Sequence, residues 1–114
     1  MFKIALGSLL CMMSLLANEA VIQNVEVTKH NGSYTFAVRI LHEDSGWKHY
    51  VNKYEILDAD GYVLATRTLW HPHEHEQPFT RSLSGVDLTG QKEVFVRAND
   101  SVDGFSELYK VVLP

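Results

Sequence analysis

Short runs of alternating apolar and polar residues, separated by turn-forming pairs, constrain the fold of this chain most strongly. The clearest run places a large apolar side chain at every second position, at Tyr34, Phe36, Val38 and Ile40. This period of two is typical of a strand with one buried face. Asn31-Gly32 separates that run from residues 21–29 and is the dipeptide that best tolerates the backbone of a tight turn. We therefore predict a hairpin between residues 21–29 and 34–41.

Similar runs continue to the C-terminus, with a spacing that is typical of β-sandwiches. We predict further strands at residues 47–57, 62–70, 79–83, 93–98 and 108–113. The turn Asp58-Ala59-Asp60-Gly61 predicts a second hairpin between the first two of them. Residues 71–78 contain two prolines and are therefore not a central strand. About seven strands without a helical pattern predict an all-β fold, a two-sheet sandwich of the immunoglobulin or fibronectin type III kind.

The N-terminus has the pattern of a secretory signal peptide. Lys3 is followed by an apolar stretch of about 13 residues, which is shorter than the roughly 20 that span a bilayer. We predict cleavage after Ala17, with Ala20 as the alternative position. The chain then divides into a signal peptide at residues 1–17 and a single domain at residues 18–114, located in the periplasm or secreted, without a membrane span in the mature part.

Composition excludes several classes of site from the predicted domain. The single cysteine, Cys11, lies inside the predicted signal peptide. The mature domain therefore has no disulfide, no thiolate ligand for a metal and no thiol nucleophile. The net charge is −4 and the basic residues are scattered, which argues against nucleic acid as a partner.

Two resemblances support the predicted fold and compartment. Residues 83–104, with Leu83-Ser84-Gly85-Val86-Asp87-Leu88 and Val94-Phe95-Val96-Arg97-Ala98-Asn99-Asp100, resemble the last hairpin of fibronectin type III modules. The stretch His71-Pro72-His73-Glu74-His75-Glu76-Gln77-Pro78-Phe79-Thr80-Arg81-Ser82-Leu83 resembles a group of small exported bacterial proteins. The second resemblance implies export and carries no activity with it.

A histidine-rich segment is the main candidate for a functional site. His71, His73 and His75 alternate, so an extended backbone would project them to one side. Imidazole nitrogens with a nearby carboxylate suit Zn²⁺, Ni²⁺ or Cu²⁺. We therefore predict a divalent metal site built from His71, His73 and His75, with Glu76 and His49 as additional ligands. The alternative is an ordinary polar loop whose histidines make hydrogen bonds or face water.

The function that we expect from these features is an exported, non-catalytic binding or accessory module. Its partner would be a protein or a ligand of the cell envelope, and the histidine-rich segment would hold its metal. The alternative is a small periplasmic hydrolase that uses loop carboxylates, such as Glu43-Asp44 or Glu74 and Glu76, together with histidines. No nucleophile-elbow motif surrounds any serine, and no glycine-rich phosphate loop is present.

Overall fold

The computed structural model describes residues 19–114, so the predicted signal peptide lies outside the described residues. Eight strands and no helix make up this part of the chain. They are β1 (Val21–His30), β2 (Ser33–Leu41), β3 (Val51–Leu57), β4 (Val63–Thr68), β5 (Phe79–Val86), β6 (Glu93–Asp100), β7 (Gly104–Phe105) and β8 (Tyr109–Val112). No helix in residues 19–114 is long and apolar enough to cross a membrane.

The strands form two antiparallel sheets, so the predicted all-β, two-sheet sandwich is confirmed. One sheet has the order β1-β2-β5, and the other has the order β4-β3-β6-β7, with β8 also paired to β6. Both predicted hairpins, β1-β2 and β3-β4, are present. At the first of them Asn31 has a φ of 50° and Gly32 a φ of 87°, as this turn requires. Strand β7 has only two residues and has no counterpart among the predicted strands.

The core lies between the sheets and follows the alternation seen in the sequence. In β2 the buried positions are Tyr34, Phe36, Val38 and Ile40, and in β6 they are Val94, Val96 and Ala98. Tyr54 of β3 is fully buried and donates a hydrogen bond from its hydroxyl to the carbonyl oxygen of Arg81, at 2.9 Å. Since β2 and β6 each turn every second side chain inward, apolar residues of both sheets contribute to the core.

Several strand ends meet at one end of the sandwich. Ile40, near the end of β2, pairs with Phe79 at the start of β5. Val51, at the start of β3, pairs with Asp100 at the end of β6. The connections at residues 42–50, 69–78 and 101–103 therefore lie at the same end. Residues 47–50, which we predicted as strand, are turns and bends at this end.

Candidate metal centre

Polar residues continue the inward alternation of β2 and β6 beyond the apolar core. After Ile40 the next inward positions are His42 and Asp44, and after Ala98 the next is Asp100. All three are buried, with 3%, 8% and 1% of their surface exposed. Buried ionisable groups are rare unless they are paired, so these side chains need partners within the protein.

His42 lies between two carboxylates. Its Nδ1 is 2.6 Å from Oδ1 of Asp44, and its Nε2 is 2.8 Å from Oδ2 of Asp100. A carboxylate accepts hydrogen bonds, so each of these two contacts gives a ring nitrogen of His42 an acceptor. The ring is therefore held at both ends, and its orientation is fixed.

Asp100 connects the two histidines of this end. Its Oδ1 accepts hydrogen bonds from the backbone N–H groups of Val102 and Asp103, at 2.8 and 3.2 Å. Its Oδ2 lies 3.0 Å from Nε2 of His49 as well as 2.8 Å from His42. The backbone thus fixes one carboxylate oxygen and directs the other toward both imidazoles.

Asp44 ties His42 to two other segments of the chain. Besides His42, its Oδ1 accepts a hydrogen bond from the backbone of Val51, at 3.3 Å. Its Oδ2 accepts a hydrogen bond from the backbone N–H of His73, at 2.6 Å. Gln77 adds a second link, since its side chain accepts from the N–H of His42 and donates to the carbonyl of His73, both at 2.9 Å.

The pKa values of the site follow from these contacts. The hydrogen bond with Asp100 raises the pKa of His49 above its ordinary value, against a smaller opposite effect of burial. Burial by itself would raise the pKa of Asp100. Hydrogen bonds from Val102, Asp103 and the two histidines outweigh that effect and lower it. Asp100 is therefore an ionised acceptor at neutral pH.

Nε2 of His42, Nε2 of His49 and Oδ2 of Asp100 offer three metal-ligating atoms close together. The ligating atoms of the three residues all lie within 4.8 Å of one another. Two imidazole nitrogens and one carboxylate oxygen are donors that suit Zn²⁺, Ni²⁺ or Cu²⁺. Two ligands in neighbouring positions around such an ion are about 3 Å apart, because each bond is about 2.0–2.2 Å long. The distances of 2.8 and 3.0 Å from Asp100 to the histidines match that spacing.

The side chains of the histidine-rich segment, residues 71–76, do not belong to this group. The segment contacts it through the backbone N–H of His73, which donates to Asp44. His71 is exposed, and its Nδ1 lies 3.1 Å from the carbonyl oxygen of Pro72. His75 is exposed, and Glu76 is paired with Arg81 at 2.9 Å. Of the five residues predicted as ligands, His49 is the one that lies in the three-residue cluster. The site predicted around His71 stays a prediction.

His73 is the buried member of that segment. Its ring stacks on Phe79, with 4.0 Å between the ring centres, and lies 4.7 Å from the ring of His71. Within residues 19–114 neither of its ring nitrogens has a hydrogen-bond partner, and Nδ1 is 3.7 Å from Oδ2 of Asp44. Burial lowers its pKa, as do the charges of Arg81 and His71. His73 is thus held as a neutral ring.

The sequence analysis did not identify His42 and Asp100 as candidate ligands, nor Asp44 as the partner of His42. A signal was present, because His42 and Asp44 continue the inward alternation of β2 beyond its end, and Asp100 continues that of β6, whose earlier inward positions are apolar. A polar side chain at such a position must find a buried partner. The identity of that partner depends on the pairing between strands, which the pattern alone does not supply.

An open cleft of about 610 Å³ lies beside the cluster. Its walls come from residues 43–49 and from the histidine-rich segment, and its lining includes Glu43, Ser45, His49, Glu74 and Gln77. His49 belongs both to the cluster and to the cleft. The candidate metal centre is therefore reached from the cleft.

The comparisons with known proteins bear on the fold alone. No protein-family model matches the sequence, and no curated protein matches it. A similar solved structure is a superoxide reductase (1Fe-SOR) from Giardia intestinalis, with 16% sequence identity and a TM-score of 0.51. The match covers 78% of this chain and 95% of that chain. At this level of identity the likeness shows a common β architecture.

Proposed function

We propose that this protein is an exported accessory module that binds one divalent metal ion through His42, His49 and Asp100. The observation that supports it is the convergence of two imidazoles on one buried carboxylate oxygen, at 2.8 and 3.0 Å. An ion bound among these atoms would take the place of the hydrogen bonds that they make with one another. Two of its ligands are already held in the orientation that it needs.

The surroundings of the ligands support the same function. A histidine that binds a metal through one nitrogen usually donates from its other nitrogen to a carboxylate, which fixes the ring and its tautomer. His42 has this arrangement, since its Nδ1 faces Asp44 at 2.6 Å. Asp44 is itself held by the backbone of Val51 and His73. Such outer partners contribute about 10- to 100-fold to metal affinity.

Titration of Zn²⁺, Ni²⁺ and Cu²⁺ into tag-free protein, followed by calorimetry, tests the proposal. We expect one ion per chain, with micromolar affinity or better. His49→Gln removes a ligand whose side chain is 27% exposed, so the variant keeps its fold and should lose at least tenfold in affinity. The matched control is His71→Ala/His75→Ala, which removes two imidazoles from the exposed segment and should leave affinity unchanged.

Two results would contradict the proposed site. Binding that His49→Gln retains in full would show that the cluster does not hold the ion. Binding that His71→Ala/His75→Ala abolishes would locate the ion on the histidine-rich segment instead.

The exported state is the other part of the proposal, and it rests on the pattern of residues 1–17. Export of the full chain from a bacterial host, followed by mass measurement of the product, tests it. A product that begins at Asn18 supports the predicted cleavage, and a product that retains Met1 contradicts it.

A further inference from the structure

The ligands that the chain supplies leave an incomplete coordination shell. Within residues 19–114 the group contains three side chains, and Oδ2 of Asp103 lies 3.5 Å from Nε2 of His49, outside that group. Zn²⁺, Ni²⁺ and Cu²⁺ bind four or more ligands. A bound ion therefore keeps at least one position for a ligand from outside the protein.

The open position faces the cleft. The side chains of His42 and Asp100 are 1% and 0% exposed, whereas that of His49 is 27% exposed. His49 also lines the cleft, whose volume of about 610 Å³ is enough for a small molecule. An incoming ligand thus meets the ion on the side of His49, between residues 43–49 and the histidine-rich segment.

The charge of the cleft selects among possible ligands. Its lining provides the carboxylates of Glu43 and Glu74, and no lysine or arginine belongs to it. In residues 19–114 neither glutamate takes part in an ion pair. Together with Asp44, Asp100 and Asp103, the cluster and the cleft beside it carry five carboxylates against the charge of one divalent ion. The loaded site stays net negative and repels anions.

We infer that the external ligand is a neutral imidazole, which binds the ion through one nitrogen and donates its N–H to a carboxylate of the cleft. This inference rests on the proposed metal site. It repeats the arrangement of His42, whose ring points one nitrogen at the metal position and the other at Asp44. A hydrogen bond to an ionised acceptor is stronger than one between neutral groups. Free histidine and a histidine side chain of a partner peptide share this chemistry.

The test uses the full chain loaded with Cu²⁺ and follows its visible absorption during titration with three probes. The probes are imidazole, N-methylimidazole, which lacks the N–H, and azide, which is an anion. We expect imidazole to bind about tenfold more tightly than N-methylimidazole, which is the effect of one hydrogen bond to a charged group. Azide should bind most weakly.

A pair of variants assigns the effect to the cleft. Glu43→Gln/Glu74→Gln should remove the preference for imidazole and leave the affinity for N-methylimidazole within about twofold, since the second probe makes no such hydrogen bond. Glu26→Gln/Asp60→Asn is the matched control. It removes two charges from the exposed face of β1 and from the β3-β4 turn, and it should keep the preference.

The outcomes separate this inference from the proposed function. Failure to bind Cu²⁺ overturns both. Normal Cu²⁺ binding with azide tighter than imidazole, or with equal affinity for the two heterocycles, overturns the imidazole ligand alone. N-acetylhistidine, whose blocked amine cannot chelate the ion, and an acetylated glycyl-histidyl-glycine amide then distinguish the two sources. Either one supports the inference when it binds at least as tightly as imidazole, and the tighter of the two identifies the source. Weaker binding of both overturns the inference.

Discussion

Two histidine-bearing regions lie at the same end of this sandwich and differ in how their side chains are held. In the buried cluster, His42 and Asp100 each have partners for both polar ends of the side chain. In the histidine-rich segment, His75 is exposed, and the exposed Glu76 is held by a single half-buried arginine, Arg81. The denser run of histidines is the less organised of the two, so the number of ligands in a sequence is a weaker guide than their burial.

The largest expected difference is in stability, between removing the buried carboxylate of Asp44 and removing the exposed carboxylate of Glu76. Asp44→Ala leaves the ring of His42 and two backbone N–H groups without their acceptor, inside the protein. It should reduce the free energy of unfolding by about 3–5 kcal/mol. Glu76→Ala removes a solvent-exposed pair with Arg81 and should cost much less, because water and salt screen it. Urea unfolding of both variants measures the difference, and equal losses would contradict the contrast between the two regions.

A metal ion should sharpen the contrast by stabilising the protein through the buried cluster. At a free Zn²⁺ concentration 100 times the dissociation constant, we expect a gain of about 2.7 kcal/mol in the free energy of unfolding. Thermal melts of the unmodified protein, His49→Gln and His71→Ala/His75→Ala measure it. Only His49→Gln should lose the gain. A gain that survives in that variant would mean that the ion binds elsewhere.

His73 belongs to the histidine-rich segment but is buried like the cluster. It therefore tests whether burial alone, without hydrogen-bond partners, stabilises the protein. Its two ring nitrogens lie among buried atoms without hydrogen-bond partners, which costs free energy. His73→Phe keeps the stacking on Phe79 and removes both polar atoms. We expect the variant to be more stable by about 1 kcal/mol in urea unfolding. A loss of stability would show that the ring nitrogens have a favourable contact, and His73→Leu provides a second apolar side chain for comparison.

The smallest effect is a pH dependence of opposite sign at the two histidines. The folded-state pKa of His73 is lowered from 6.5, so the unfolded chain takes up its proton first. Stability from this group is complete above pH 6.5 and decreases as pH falls through the interval below it. His73→Phe should remove that loss between pH 6.5 and 5. Urea unfolding of the variant and of the unmodified protein at both pH values measures it.

His49 should behave in the opposite way because its pKa is raised. Its contribution is complete below pH 6.5 and decreases as pH rises through the folded-state value. His49→Gln should therefore lose less stability above pH 7 than below pH 6. A variant that is weakened equally at both values would contradict the hydrogen bond between His49 and Asp100.

The sequence pattern predicted most of the fold because alternation is local. Residues 34–40 and 94–98 show which side chains face the core, and Asn31-Gly32 shows where the chain reverses. The prediction extended strand through residues 47–50, whose Trp and Tyr favour strands in general. In the structure Gly46, with a φ of 121°, and a backbone hydrogen bond from Ser45 to His49 make this stretch a turn.

The candidate site was harder to predict because its members are distant in the sequence. His42 and Asp100 are 58 positions apart, and they meet because β2 and β6, which belong to different sheets, both end at the same end of the sandwich. A search for clustered ligands favours residues that are neighbours in the chain, and it therefore selected His71, His73 and His75. A search for polar residues at inward strand positions would have selected His42, Asp44 and Asp100.

The long separation between His42 and Asp100 also sets the order of events during maturation. A zinc finger recruits its metal while still unfolded, because its ligands are close along the chain and the ion organises the fold. Here a nascent or misregistered chain has no such constellation, and a slip of one residue in β2 would turn His42 and Asp44 to the outer face. If the proposed site binds its ion, the ion would join a scaffold that has already folded, and metal occupancy would report that the sandwich has closed correctly.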